Sequence, residues 1–408
     1  MTPGRARPRA GSRRAFHPAA RRGAWALVAS DGSRSAEGCL ISPERSQLYP
    51  GQPVIPLNFA SDNVAGASRP VLDALVAANA GPMPAYGADP ITGRVAEAFV
   101  ELFEREVEVL LVATGTAANA LALSAALSPW GLCLCHEEAH VIDDECGAPE
   151  FFSHGAKLLG LPGAGGKIGA DAVAAAADAL PRHEKQMPAE IVSISQATEC
   201  GLVYTPDEIA ALGEAAHARG LKLHMDGARF ANALVSLGAK PAEMTWRRGV
   251  DILSFGGTKN GCLAAEAVVV FDPDLAGTLR RRRKRAGHTL SKGRLLAAQF
   301  EGYLAQGHWL ENARHANAMA ARLAAGLAAV PGVRLAWPCE ANEVFPILPK
   351  RVDAALRTAG AVYHPWSAKS LPAGEAVGPD EVLVRLVTAF DTRPESVEAL
   401  LAAARQGA

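Results

Sequence analysis

An α/β fold with a mostly parallel sheet is the expectation for this chain, and three features carry it. Short apolar runs alternate with stretches of helical periodicity, the arrangement that builds βαβ units. Several of the runs are continuously apolar, as strands buried on both faces must be. Polar and glycine residues cluster directly after the runs, at the strand ends where open α/β sheets bind ligands. With 408 residues, 49% of them apolar, the chain is long enough for two domains with a large core. The expected divisions are an extension over residues 1–52, a large domain over 53–295 and a smaller one over 296–408.

A formal charge of −1 gives no ground for a nucleic-acid or charged-membrane partner. Seven cysteines, odd in number and irregularly spaced, make no disulfide framework and suit a reducing compartment, so a cytoplasmic location is expected. In the first fifty residues, Arg5, Arg7, Arg9, Arg13, Arg14, Arg21 and Arg22 all precede the first acidic residue, Asp31. Pro, Gly, Ala and Ser fill the gaps, a composition that cannot bury a core and is expected to be disordered. Arg13-Arg14 hints at twin-arginine export, but the only apolar run there, residues 24–29, is too short for a signal segment. A dispensable or misassigned start is the expectation.

From residue 54 the texture becomes globular. Residues 56–63 read as an extended segment ending in polar groups, and a helix follows with Pro70 near its start and Val71, Leu72 and Leu75 on its apolar face. A turn-rich loop over 85–90 contains Tyr86. A helix over about 93–105 then leads into a buried strand over 107–112. That strand ends at Ala113-Thr114-Gly115-Thr116, and an alanine-rich helix runs on to Leu127. Strand, short Gly/Thr loop and helix aim free backbone N–H groups and the positive helix end at an anion, so Gly115 and Thr116 are a candidate phosphate seat. An ordinary βα turn reads alike. The loop lacks the Gly-Lys-Ser/Thr of a Walker motif, and the glycine-rich residues 163–168 have neither Walker nor dinucleotide spacing.

The strand starting at Leu132 delivers His140 to its carboxyl end. Cys133, Cys135, His136 and His140 match no common zinc spacing, and no metal site is expected. A flat ring at a strand end can stack on a planar cofactor; a structural histidine is the plainer reading. A crossover helix over about 169–180 leads to a strand over 191–195, and an amphipathic helix over 206–219 ends at Gly220, a C-cap position. The strand from Leu221 then places Asp226 and Arg229 at its carboxyl end. An ionised aspartate beside a pyridine nitrogen keeps that nitrogen protonated and makes the ring an electron sink. A simple Asp–Arg salt bridge is the alternative.

Residues 251–261 run a short strand into a glycine turn that presents Lys259. Gly256, Gly257 and Gly261 leave the backbone free to bend and the side chain open to approach. A lysine so presented can bond a carbonyl compound, and the commonest protein-bound one is pyridoxal 5'-phosphate, PLP. A lone lysine in a glycine-rich loop is more ordinarily a surface residue. Asp226, the 114–116 loop and His140, all at predicted strand tips, favour the cofactor. Further on, residues 280–285 are all basic, a solvated helix face or a source of a phosphate ligand for a neighbouring subunit. Helices dominate from about 297, strands follow near 333–335 and 344–347, and the last strand carries Arg385 amid apolar residues. Its planar fork suits a substrate carboxylate.

In this order and spacing the chain, from about Phe59 to its end, resembles the low-specificity L-threonine aldolases of the PLP fold-type I group. The resemblance rests on Ser61-Asp62-Asn63, Tyr86-Gly87, Asn119 with Thr114-Gly115-Thr116, His140 with Asp144 to Glu150, His224 to Arg229, and Phe255 to Gly261. It implies a seven-stranded, mostly parallel sheet in the large domain, an α+β C-terminal domain, and a homodimer or homotetramer with shared active sites. It also implies retro-aldol cleavage of threonine, allo-threonine and related β-hydroxy-α-amino acids such as phenylserine to glycine and an aldehyde. By the same resemblance Lys259 bonds the cofactor, Asp226 pairs with its ring nitrogen, Gly115 and Thr116 hold its phosphate, His140 stacks on the ring and serves as or positions a base, and Thr198 contributes to its site. Ser61, Arg229 and Arg385 are implied anchors for carboxylate or cofactor, and Tyr86 comes from a loop near the partner's site. Glu199, a further substrate-binding candidate, stands where many members carry histidine, which leaves open which group takes the hydroxyl proton. Another PLP lyase or transaminase of the same fold, such as a β-eliminating lyase or a phenylserine-preferring aldolase, and an inactive protein of that fold remain alternatives.

Overall fold

The computed structural model describes residues 57–180 and 183–408; the expected extension over 1–52 lies outside them. Seven strands form the main sheet: β1 Glu108–Val112, β2 Leu132–His136, β3 Lys157–Leu161, β4 Ala189–Ser195, β5 Lys222–Gly227, β6 Ile252–Phe255 and β7 Glu266–Val270. Their spatial order is β1-β7-β6-β5-β4-β2-β3, and only β7 runs against its neighbours. The mostly parallel α/β sheet is therefore as the sequence predicts. The reversal at β7 has a simple cause. The link over residues 256–265 is shorter than the dozen or so residues that a parallel crossover requires, so the chain must turn back. Lys259 sits in that link.

The helix Gly115–Ala126 is buried along most of its length, so it has no polar face and lies against the sheet. Its many alanines allow close approach. The helix Pro90–Phe103 begins three residues before the expected start because the Asp89 side chain accepts from Thr92 N and Pro90 occupies the first turn. Phe99 and Phe103 of this helix pack edge-on against Phe255, with ring centroids 5.2 and 6.4 Å away. The strand that leads to Lys259 is thereby anchored in an aromatic core.

The C-terminal part carries a second sheet of β8 Arg334–Leu335, β9 Glu343–Val344, β10 Pro346–Pro349, β11 His364–Pro365 and β12 Glu381–Val387. The segment after Leu57 is stitched to it: Phe59 N donates to Val362 O and Val387 N donates to Phe59 O. This pairing fixes Asp62, which follows Phe59 closely, beneath the main sheet's carboxyl edge, where Arg229 meets it. Among the described residues no helix is long and apolar enough to cross a membrane.

Candidate active site

A cavity of about 360 Å³ opens at the carboxyl ends of the parallel strands. Strand register explains its composition, since Ser195 of β4, Asp226 of β5 and Ser254 of β6 are direct partners across the sheet and all three line it. Gly115, Thr116, Asn119, His140, Glu199, Arg229, Lys259 and Glu266 line it too, together with Asn63, Thr114 and Thr258. The expected residues Lys259, Asp226, His140, Gly115, Thr116, Arg229 and Glu199 thus converge on one space.

At one end, the helix Gly115–Ala126 points its amino terminus into the cavity. The Thr114 side chain accepts from Ala117 N, which leaves earlier N–H groups of the first turn free for an anion. Nothing lies within 4 Å of where a Cβ on Gly115 would stand, so the seat is open.

Asp226 is 5% exposed and is held from two sides. Ala228 N donates to Oδ1 at 3.0 Å and Asn119 Nδ2 donates to Oδ2 at 2.8 Å. Burial pushes its carboxyl up, but the charges of His140 and Lys259 and the Ala228 N–H outweigh that and hold it below the ordinary aspartate value. It stays an anion at neutral pH. Beneath it His224 is sandwiched between the hydroxyls of Ser193 and Ser254, and burial lowers its imidazole to about 4, so this ring is neutral.

Asn119 Nδ2 also donates to Glu145 Oε1 at 2.8 Å, and the same oxygen accepts from His140 Nδ1 at 2.9 Å. This partnership fixes the His140 ring and leaves Nε2 free of hydrogen bonds among the described residues. The Glu145 contact raises the His140 pKa; burial opposes it, and the negative charges of Asp226 and Glu199 add to it. His140, Glu145 and Asp226 bring ligand-type atoms within 4.8 Å of one another, a closeness already explained by their hydrogen bonds. We predict that Glu145→Gln lowers the pH at which His140 titrates, since a neutral amide stabilises imidazolium less. An NMR titration of the ring checks this, and an unchanged midpoint contradicts it.

Lys259 has no hydrogen bond or ion pair among the described residues. Its loop is held from below by Glu266, whose carboxylate accepts from Gly257 N at 2.8 Å and Thr258 N at 3.4 Å. Gly256 is required by packing rather than by access: a Cβ there would lie 2.4 Å from Ala228 O, so the lysine turn presses directly on the Asp226–Arg229 loop. Gly261 has φ 118°, a conformation that favours glycine.

Arg229 is buried and engaged. Its Nε donates to Asp62 Oδ2 at 2.8 Å and its Nη2 to Asp62 Oδ1 at 3.2 Å. Arg385 stands behind the wall, with its guanidinium 4.7 Å from the Trp366 ring centroid and Nη2 donating to Ala60 O at 3.2 Å. Between the two arginines lies Glu343, 3.3 Å from Arg229 Nη2 and 3.9 Å from Arg385 Nη1.

Other expected residues stand elsewhere. Ser61 accepts from Asn63 N in the turn over 61–64. The Thr198 hydroxyl is buried, donating to Gly165 O and accepting from Leu202 N. Tyr86 is 58% exposed outside the cavity, with Lys284 Nζ 5.0 Å from its ring centroid. The basic run is only in part a solvated face, since Arg280 pairs with Glu108 and Arg282 reaches Phe152 O. Glu145, Glu266 and Glu343 acquired no role from sequence. Glu266 and Glu343 each had a signal, a charge opening an apolar run, and Glu145 lay in a stretch that carries the resemblance.

A family model described as beta-eliminating lyase matches residues 58–348. A low-specificity L-threonine aldolase from a Pseudomonas species is 46% identical over 303 residues, 74% of this chain and 87% of that protein. The solved structure of a Leishmania major threonine aldolase superposes with TM-score 0.79 at 30% identity, covering 86% of this chain and all of that one. An Escherichia coli protein with a methionine aminotransferase function shares the fold, at TM-score 0.65 and 16% identity over 86% of this chain and 94% of that one.

Proposed function

The chain belongs to the beta-eliminating lyase family, and we propose that the cavity residues divide among themselves the work of cleaving a β-hydroxy-α-amino acid. It is a PLP-dependent lyase that cleaves threonine to glycine and acetaldehyde. The juxtaposition of Lys259 with Asp226 across the cavity, with an open helix amino terminus at one end, carries this reading. The residues fit the cofactor: an amine for its aldehyde, a buried anion for its ring nitrogen, an open anion seat for its phosphate, and the unpartnered Asn119 Oδ1 and Glu145 Oε2 beside them. Lys259, Asp226, His140, Gly115 and Thr116 would hold it.

When bound, PLP supplies the electron sink that lets the Cα–Cβ bond break. The protein supplies the rest. Asp226 keeps a proton on the ring nitrogen through its fixed negative charge. Arg229, with Arg385 behind it, holds the substrate carboxylate and so sets which bond at Cα can break. His140 takes the β-hydroxyl proton at Nε2, the nitrogen Glu145 leaves free, and Glu199 orients that hydroxyl. Lys259 supplies the amine that would hold the cofactor's aldehyde. Because His140 must be neutral to accept a proton, activity falls as pH drops through its raised pKa, and Glu145→Gln shifts that acidic limb to lower pH.

Incubation of the PLP-loaded protein with L-threonine and L-allo-threonine tests the reading. Glycine and acetaldehyde in equal amounts are expected; a keto acid with ammonia overturns it. Phenylserine is proposed as a further substrate, with benzaldehyde as product. Arg385→Ala is expected to raise KM for the amino acid about tenfold or more while kcat changes little, because it removes carboxylate binding common to ground and transition states. A loss confined to kcat contradicts this role. We also propose that two copies associate and bring Tyr86 to the partner's cavity. Exposed Val76, Leu263 and Tyr86 support this, and a single-chain mass by light scattering contradicts it.

A further inference from the structure

Glu343 is 1% exposed, and neither oxygen of its carboxyl accepts a hydrogen bond among the described residues. A buried carboxylate without donors is costly unless charges nearby compensate it. Here the compensation is two guanidiniums, 3.3 Å away at Arg229 and 3.9 Å away at Arg385. Arg229 is in addition held by both oxygens of Asp62. Before substrate arrives, the carboxyls of Asp62, Glu343 and Glu199 already face these two cations. An amino acid adds another negative charge to the same place.

We propose that Glu343 is a built-in counter-anion of the carboxylate site, and that it takes up a proton from solvent when an amino acid's carboxylate binds at Arg229 and Arg385. This rests on the assignment of those arginines to the substrate carboxylate. The groups that face Glu343 are Arg385 from β12, Arg229 after β5, Asp62 after the first segment, Glu199 and Cys200 after β4, and Cys339 before β9. Burial raises the Glu343 pKa most; Arg229 and Arg385 hold it down, while Asp62 and Glu199 push it up. A bound carboxylate adds to the upward side, so the liganded enzyme holds the proton more tightly than the free enzyme. Binding is then favoured at low pH and weakens as pH rises from the free-enzyme value toward the liganded one, by up to about tenfold per pH unit.

Calorimetric titration of the holoenzyme with glycine, which brings the carboxylate but no β-hydroxyl, tests this when run in two buffers of different ionisation enthalpy. Comparison with Glu343→Gln removes the proton changes that amine binding itself causes. The wild type is expected to take up more protons per glycine than the variant, by up to about one, and the pH slope of the glycine Kd is expected to flatten in Glu343→Gln. Identical proton counts and slopes overturn the proposal. If the variant does not fold, titration of the wild type with propionate, a carboxylate that brings no amine, tests it equally: no proton uptake on binding anywhere between about pH 5 and 8 overturns the proposal. Arg385→Ala separates the two layers: unchanged glycine affinity there removes the carboxylate assignment itself. Weakened affinity there, with Glu343→Gln indistinguishable from wild type, removes only the role of Glu343.

Discussion

Lys259→Ala is expected to abolish the absorption band of lysine-bound cofactor and to lower kcat/KM for L-threonine by about 10,000-fold or more, the scale seen when a covalent nucleophile is removed. Lys259 is the only lysine on the cavity wall among the described residues, so no other amine stands ready to replace it. The fold itself is expected to survive. Gly256 packs on Ala228 and Glu266 holds the backbone of the turn, and neither contact uses the lysine side chain. Spectra of the PLP-reconstituted variant together with steady-state kinetics check this. A variant that keeps the band, or activity within tenfold of wild type, contradicts the assignment.

Asp226→Asn changes one charge and almost no volume. The amide oxygen can still accept from Ala228 N, but a neutral group no longer holds a proton on the ring nitrogen, and Asn119 Nδ2, which donates to Oδ2, loses its charged partner. A fall in kcat of about 1,000-fold is expected, about 4 kcal/mol of barrier, with cofactor still bonded to Lys259. Activity within tenfold of wild type would mean that another group supplies the anion.

The alternation of apolar runs and helical stretches was enough to read a mostly parallel sheet. Asp226, His140 and the Thr114–Thr116 turn were legible because each lies at or shortly after the carboxyl end of a strand, and strand ends in such sheets face ligands. The antiparallel return of β7 was also implicit in the sequence, in a link too short to cross over. What was not legible depends on distant pairing. Asp62 and Arg229 meet only because the segment around Phe59 joins the C-terminal sheet, and Glu343 meets both arginines only through the pairing of β9 with β12. Neither pairing leaves a local pattern. Gly256 shows a different limit: the sequence suggests freedom to bend, whereas the structure shows a backbone contact that any side chain would block.

The cofactor's aldehyde is expected to be bonded at Lys259, between Asp226 and the helix amino terminus at Gly115. Borohydride reduction of the PLP-loaded protein followed by peptide mass mapping tests it most directly. The phosphopyridoxyl label is expected on the peptide containing Lys259 and to disappear when excess glycine is added before reduction. A label on any other lysine, or none in a protein that still cleaves threonine, would contradict it.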